Sequence, residues 1–371
     1  MLAQPPIWLI VIAFICAIGP LVFIHEMGHY LVARIFGVGA ETFSIGFGRE
    51  VTGWTDKRGT RWKVGWLPLG GYVRFVDDEQ QTGETRESVI RPDSFAGKPV
   101  WQRFLIVLAG PMANFLLAII IFACFFAAWG IPRTSNVVVG VQSGSAAAAA
   151  GIQKGDRIVS VAGQRTNSFE DVQRVVSLRP NEEVTIGVVR DGGSTRVQTR
   201  LGAHEEQDRF GQKYRLGLLG VYSANRELAP VPVLQLVPEA TRYTWLLTRT
   251  TLEGLVQIIT GRRSVEELGG PLKIAQVAGQ QASLGPFQFV QLLALISINL
   301  GFINLLPVPM LDGGHLLFYL VEAVRRRPVS VRAQEWAFRG GLALLLALLL
   351  FTTMNDLGSF GLWERLGRLI G

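Results

Sequence analysis

Two cysteines in 371 residues leave no disulfide framework to build. Cys16 and Cys124 both fall inside apolar runs and read as packing residues. Charge is also scarce, at 18% of residues, and residues 1–24 carry no charged side chain. That opening run has no basic n-region, and no A-x-A site follows it at the right place, so it is not expected to be a cleaved signal peptide. The net charge of +7 comes without any basic segment interleaved with stacking aromatics. A nucleic-acid partner is therefore not expected, and the charge reads as membrane topology.

What is present is apolar. AVILMFWYC residues make up 49% of the chain, and the mean hydropathy is +0.31. Uncharged runs cover 1–24, 104–132, 274–311 and 340–355. A bilayer core needs roughly 20 apolar residues in a helix. Three runs meet that; the fourth is short, with Trp336 and Arg339 placed to flank it and snorkel. The pattern predicts a polytopic α-helical membrane protein with four transmembrane helices. Lysine and arginine crowd the 37–100 loop, with Arg49, Lys57, Arg58, Arg61, Lys63, Arg74, Arg86, Arg91 and Lys98, and recur in VRRRPVSVR between the last two helices. Both loops are expected to face the cytoplasm, and the N-terminus, the 131–286 segment and the C-terminus the other side.

The stretch GPLVFIHEMGHYLVA, residues 19–33, puts polar chemistry inside the first run. Positions i and i+4 share a helix face, so His25 and His29 can offer two imidazoles to one metal ion. Glu26 lies beside them, where it can act as general base on a metal-activated water, the zinc-peptidase arrangement. Two of the four histidines sit in this one motif, in a membrane segment where ionisable groups are costly and usually functional. A catalytic zinc wants a third protein ligand and one open position. NLLPVPMLDGGHLL, residues 304–317, offers Asp312, with His315 as a rival three residues on. His25 lies roughly 27 Å along the first helix, near its cytoplasmic end. Asp312 follows a helix that also runs toward the cytoplasm, so the two ends can meet.

The loop after the first helix alternates Phe43, Ile45 and Phe47, then Trp62, Val64 and Trp66. Period two predicts half-buried strands. LPLGGYVRF, residues 67–75, adds a Gly-Gly turn and another short strand. A helical substrate shields its peptide bonds, so a protease must hold it extended, which an exposed strand edge does by strand addition. Residues 131–222 read as a small α+β domain, and 233–260 as an amphipathic helix against the membrane surface or that domain.

FIHEMGHYLVARIFGV and NLLPVPMLDGG resemble the HExxH helix and the LDG motif of the site-2 protease family of intramembrane zinc metalloproteases. LPLGGYVRF, VWQRFLIVLAGPMANF and GGPLKIAQVAG are similar to stretches of its bacterial branch, represented by the regulator-of-sigma-E protease. The resemblance implies that His25, His29 and Asp312 hold Zn2+ and that Glu26 is the catalytic base. It implies that Asn304, Pro307 and Pro309 shape the substrate groove, and that Gly70, Gly71, Tyr72 and Val73 belong to a re-entrant β-hairpin that receives substrate. AGIQKGDRIVSVAGQ resembles a circularly permuted PDZ domain; one such domain is counted where the best-known members of the branch carry two.

The expected organisation is transmembrane helix 1 with HExxH at 1–36, the cytoplasmic or re-entrant β loop at 37–100, and transmembrane helix 2 at 101–130. A periplasmic PDZ domain follows at 131–222, an amphipathic helix and linker at 223–286, and transmembrane helices 3 and 4 with the LDG motif at 287–371. The resemblance implies an intramembrane zinc endopeptidase of the bacterial inner membrane. It would act as a monomer on pre-shortened single-span membrane proteins, including anti-sigma factors and remnant signal peptides. A membrane metal carrier would explain the His and Asp ligands but not Glu26, the strand-rich loop or the PDZ; a non-catalytic PDZ scaffold would leave the metal site inert.

Overall fold

A computed structural model describes residues 5–76, 93–177, 179–207, 213–223, 226–260 and 269–359. The loop arginines Arg86 and Arg91, and residues 261–268 of the expected linker, lie outside the described residues. In chain order the elements are α1 (Ile7–Ile35), β1 (Ala40–Thr55), β2 (Arg61–Phe75), α2 (Val100–Trp129), β3 (Ile131–Thr134), β4 (Val138–Val141), α3 (Ala146–Ala149), β5 (Arg157–Val161), β6 (Gln164–Arg165) and α4 (Phe169–Ser177). They continue with β7 (Glu183–Arg190), β8 (Gly193–Arg200), β9 (Gly202–Gln207), β10 (Lys213–Leu218), β11 (Val221–Ser223), β12 (Arg226–Ala229), α5 (Leu236–Ile259), α6 (Pro271–Leu284), α7 (Pro286–Asn304), α8 (Asp312–Arg325) and α9 (Val331–Ser359).

Among the described residues, four helices are long and apolar enough to cross a membrane: Ile7–Ile35, Val100–Trp129, Pro286–Asn304 and Val331–Gly358. The chain is a multi-pass membrane protein. Gly285 and Pro286 divide the apolar run from 274 to 311 into α6 and α7. Trp336 and Arg339 lie in the N-terminal part of α9, ahead of the uncharged run, the guanidinium 5.8 Å from the indole ring. One expectation needs correction. Cys16 and Cys124 are exposed on α1 and α2 and are not packing residues.

The chain forms two compact units, one of Met1–Phe122, Glu239–Leu255 and Ser264–Gly371, the other of Ala123–Pro238 and Val256–Arg263. In the first unit, one apolar core joins α1, the β1–β2 pair, α2 and α8 through Tyr30, Phe43, Phe75, Ile106, Leu316 and Tyr319. Phe43 stacks on Trp62 at 4.5 Å and meets the edge of Tyr30 at 5.9 Å. Such aromatic pairs each contribute about 0.5–1.5 kcal/mol beyond area burial. The Gly-Gly pair at 70–71 lies within the long β2, whose chain reverses between 64 and 71, with Gly70 at φ +101°. Phe43 pairs with both Trp62 and Val73, so residues 71–75 form an outer segment beside residues 40–45. Arg103 of α2 donates to Glu322 of α8 at 2.8 Å and covers the Tyr319 ring at 5.0 Å, which ties α8 to α2.

The second unit is α+β. Its four-stranded sheet has the order β6-β5-β7-β8, with α4 burying Val172, Val175 and Val176 against Ile158, Ile186 and Val188. The Arg190 guanidinium donates to both oxygens of buried Asp156, at 2.7 and 2.8 Å. Four alanines, Ala146–Ala149, form the short α3, capped by Ser145.

Candidate active site

The buried face of α1 repeats at helical spacing through Ala17, Leu21, His25 and His29 to Ala33. Small and aliphatic residues carry the packing, and the two imidazoles continue the same stripe. His25 and His29 are only 7% and 8% exposed. Their Nε2 atoms lie 3.3 Å apart. Oδ2 of Asp312, the first residue of α8, is 3.1 Å from His25 Nε2 and 3.4 Å from His29 Nε2. The three residues thus form a cluster able to hold a metal ion.

The edges of this triangle fit a metal. Four ligands placed tetrahedrally at zinc–ligand bonds of 2.0–2.1 Å are separated from one another by about 3.3 Å. The chemistry of the donors agrees. His29 Nδ1 donates to the Ile106 carbonyl at 2.9 Å, so its Nε2 carries a lone pair. That lone pair and Asp312 Oδ2 are both acceptors, and at 3.4 Å they need a proton or a cation between them.

The cluster opens into a cavity of about 390 Å3. Glu26 lines it, and the Val73 backbone N–H is directed at the Glu26 carboxylate. Gly70, Gly71, Tyr72 and Val73 form one wall, and Asn304, the last residue of α7, lies on another. His315 lines the cavity too, its ring 5.2 Å from Phe338, and it lies outside the three-ligand cluster. Pro307 and Pro309 are not among the lining residues; Pro309 packs where a Cβ on Gly314 or Gly341 would fall, which places it under the turn that leads into Asp312. In that turn Met310 has φ +83°, a left-handed conformation costing an L residue about 1–2 kcal/mol.

Two features of α2 were not read from the sequence as parts of the site. Gly110 lies against the His29 ring, and Gly28 against the Ala109 carbonyl, so neither position has room for a Cβ. Asn114, fully buried, places its amide 3.0 Å from His25 Nδ1. Its signal was available: a lone amide in the 104–132 run, where unpaired polar groups are costly. Gly110→Ala is expected to push the His29 ring off its axis and weaken metal binding roughly tenfold or more, the scale seen when support of a ligand is lost. Competition against a chromogenic chelator measures this; unchanged affinity would show that α2 yields to the methyl group.

The comparisons bear on the whole chain. A protein of Agrobacterium fabrum (strain C58) assigned as a zinc metalloprotease is 42% identical over 360 residues, covering 94% of this chain and 96% of its own. One of Mesorhizobium japonicum with the same assignment is 44% identical, covering 93% and 98%. Metalloprotease MmpA of Caulobacter vibrioides is 37% identical, covering 97% and 98%. Among solved structures, the PDZ domain of an SdrC-like protein from Listeria monocytogenes matches 25% of this chain and 92% of its own, at 17% identity and a TM-score of 0.20. The sequence profile of peptidase family M50 matches residues 13–348, and with relatives this similar over this length the chain belongs to peptidase family M50.

Proposed function

We propose that this chain is a zinc-dependent endopeptidase that cleaves single-span membrane proteins within the membrane. The observation that carries the reading is the ligand triangle of 3.1, 3.3 and 3.4 Å, with Glu26 in the same cavity. His25 and His29 would hold the ion through Nε2 and Asp312 through Oδ2. When bound, zinc supplies Lewis acidity, polarising a water molecule and the scissile carbonyl. Glu26 takes the proton of that water on its carboxylate and hands it to the departing backbone nitrogen. General-base work of this kind is worth about 10²–10⁴ in rate.

The remaining cavity residues hold the substrate. Residues 71–75 form an outer strand segment, and no further strand pairs with it among the described residues. It receives an unwound substrate by strand addition, with Asn304 opposite and Pro307 and Pro309 holding the turn before Asp312. The inserted α+β domain acts as a single PDZ-like size filter that admits substrates already shortened on its side of the membrane. The bacterial relatives support an inner-membrane location, and the lysine and arginine distribution supports an orientation with the N-terminus and this domain periplasmic. The enzyme acts as a monomer; its substrates include anti-sigma factors and remnant signal peptides.

Purified protein reconstituted with a single-span substrate tests this reading. The shortened substrate is expected to be cut inside its hydrophobic segment, located by mass spectrometry, and the unshortened one spared. Replacing residues 135–203 with a flexible linker is expected to release cleavage of the unshortened form. Cuts confined to the flanking soluble parts would overturn the intramembrane reading, and unchanged discrimination after the deletion would overturn the filter.

A further inference from the structure

The two histidines of the cluster are held in different ways. His29 donates through Nδ1 to a backbone carbonyl, that of Ile106. A carbonyl only accepts, so the proton of His29 is fixed on Nδ1 and Nε2 is free for a ligand bond. His25 Nδ1 meets the side-chain amide of Asn114 at 3.0 Å, and an amide can either donate or accept.

We propose that Asn114 is a positioning residue whose amide orientation decides whether His25 Nε2 carries a proton or offers the metal a lone pair. The inference rests on the zinc reading of the site. With the amide nitrogen toward His25, Asn114 donates into Nδ1 and the proton of His25 sits on Nε2. That proton then points at Asp312 Oδ2, 3.1 Å away, and His25 Nε2 has no lone pair to give an ion. In this orientation Asn114 Oδ1 is buried with no hydrogen-bond partner. A half-turn of the amide exchanges two ends of nearly equal size. Oδ1 then accepts from His25 Nδ1–H, and Nε2 becomes the lone-pair donor that a metal requires.

Little else about Asn114 can move. Its side chain is fully buried, and its own carbonyl accepts from Ser297 Oγ of α7 at 2.8 Å. The backbone is fixed between two spans while the amide keeps its one rotation. Such supporting groups commonly set the orientation and basicity of metal-bound imidazoles.

The test uses the full chain in detergent and reads zinc affinity by chelator competition, with the thermal midpoint of the chelator-treated protein as the folding control. Asn114→Leu keeps the volume and removes the acceptor; it is expected to weaken zinc binding about 10–100-fold. Asn114→Asp keeps an acceptor facing Nδ1 and is expected to stay within about threefold of the native affinity, on the same scale. Equal losses for the two variants, or native affinity for the leucine variant, would overturn the proposal. Native protein that binds no zinc at the cluster, with His25→Ala indistinguishable from it, would instead sink the zinc reading itself. Should Asn114→Leu fail to fold, 15N spectra of histidine-labelled native protein decide. The His25 proton is expected on Nε2 without zinc and on Nδ1 with it; a proton on Nδ1 in both states contradicts the amide switch.

Discussion

Glu26→Gln is expected to keep its zinc and lose cleavage by about two to four orders of magnitude, the range for removal of a general base. Glutamine has nearly the same shape and leaves the His25, His29 and Asp312 triangle in place. Its amide cannot take a proton from the attacking water. Glu26 is well placed for the role, since it lines the same cavity as the cluster and faces the Val73 N–H of the outer strand segment. Base and substrate-holding strand are thus within one contact of each other. Metal content by atomic spectroscopy beside a cleavage assay measures both halves of the expectation. Full proteolysis by the glutamine variant would remove Glu26 from the mechanism, and a variant without metal would make it a ligand.

Asp312→Ala is expected to be isolated without stoichiometric zinc and without activity, whereas His315→Ala keeps its metal. The two residues lie three apart on α8, so both face the cavity, and from spacing alone either could serve as third ligand. Distance separates them. Asp312 Oδ2 stands 3.1 and 3.4 Å from the two imidazole nitrogens, whereas His315 belongs to the cavity wall beside Phe338. A three-ligand site cut to two imidazoles loses the charge and the geometry that hold zinc in a partly open site. Zinc retained by Asp312→Ala and lost from His315→Ala would reverse the assignment.

The parts of this protein that follow from local pattern were legible in its sequence. His25, Glu26 and His29 share a helix segment, so their relation follows from 3.6 residues per turn. The four spans follow from uncharged length, and Gly285 with Pro286 marks where the 274–311 run breaks into α6 and α7. The β loop showed its alternation at Phe43 and Trp62. It did not show that Phe43 pairs on both sides, which comes from two bent strands folding back along each other.

What escaped was whatever depends on close approach between distant segments. Gly28 and Gly110 matter because α1 and α2 touch there, which no period reveals. Asn114 carries no metal-ligand signature and gains its role only from lying 3.0 Å from His25. Pro309 sits in a motif that resembles a substrate groove, yet it packs under the turn into Asp312, beside Gly341 of α9.

The central claim is that two imidazoles and one carboxylate hold a single zinc ion beside Glu26. X-ray absorption at the zinc edge of the purified, zinc-loaded chain tests it most directly. The account predicts one zinc per chain, with only nitrogen and oxygen neighbours at about 2.0–2.2 Å, scattering from two imidazoles, and the zinc lost from His29→Ala. A sulfur shell at about 2.3 Å, an imidazole signal equal to three rings, or a spectrum unchanged by His29→Ala would contradict it.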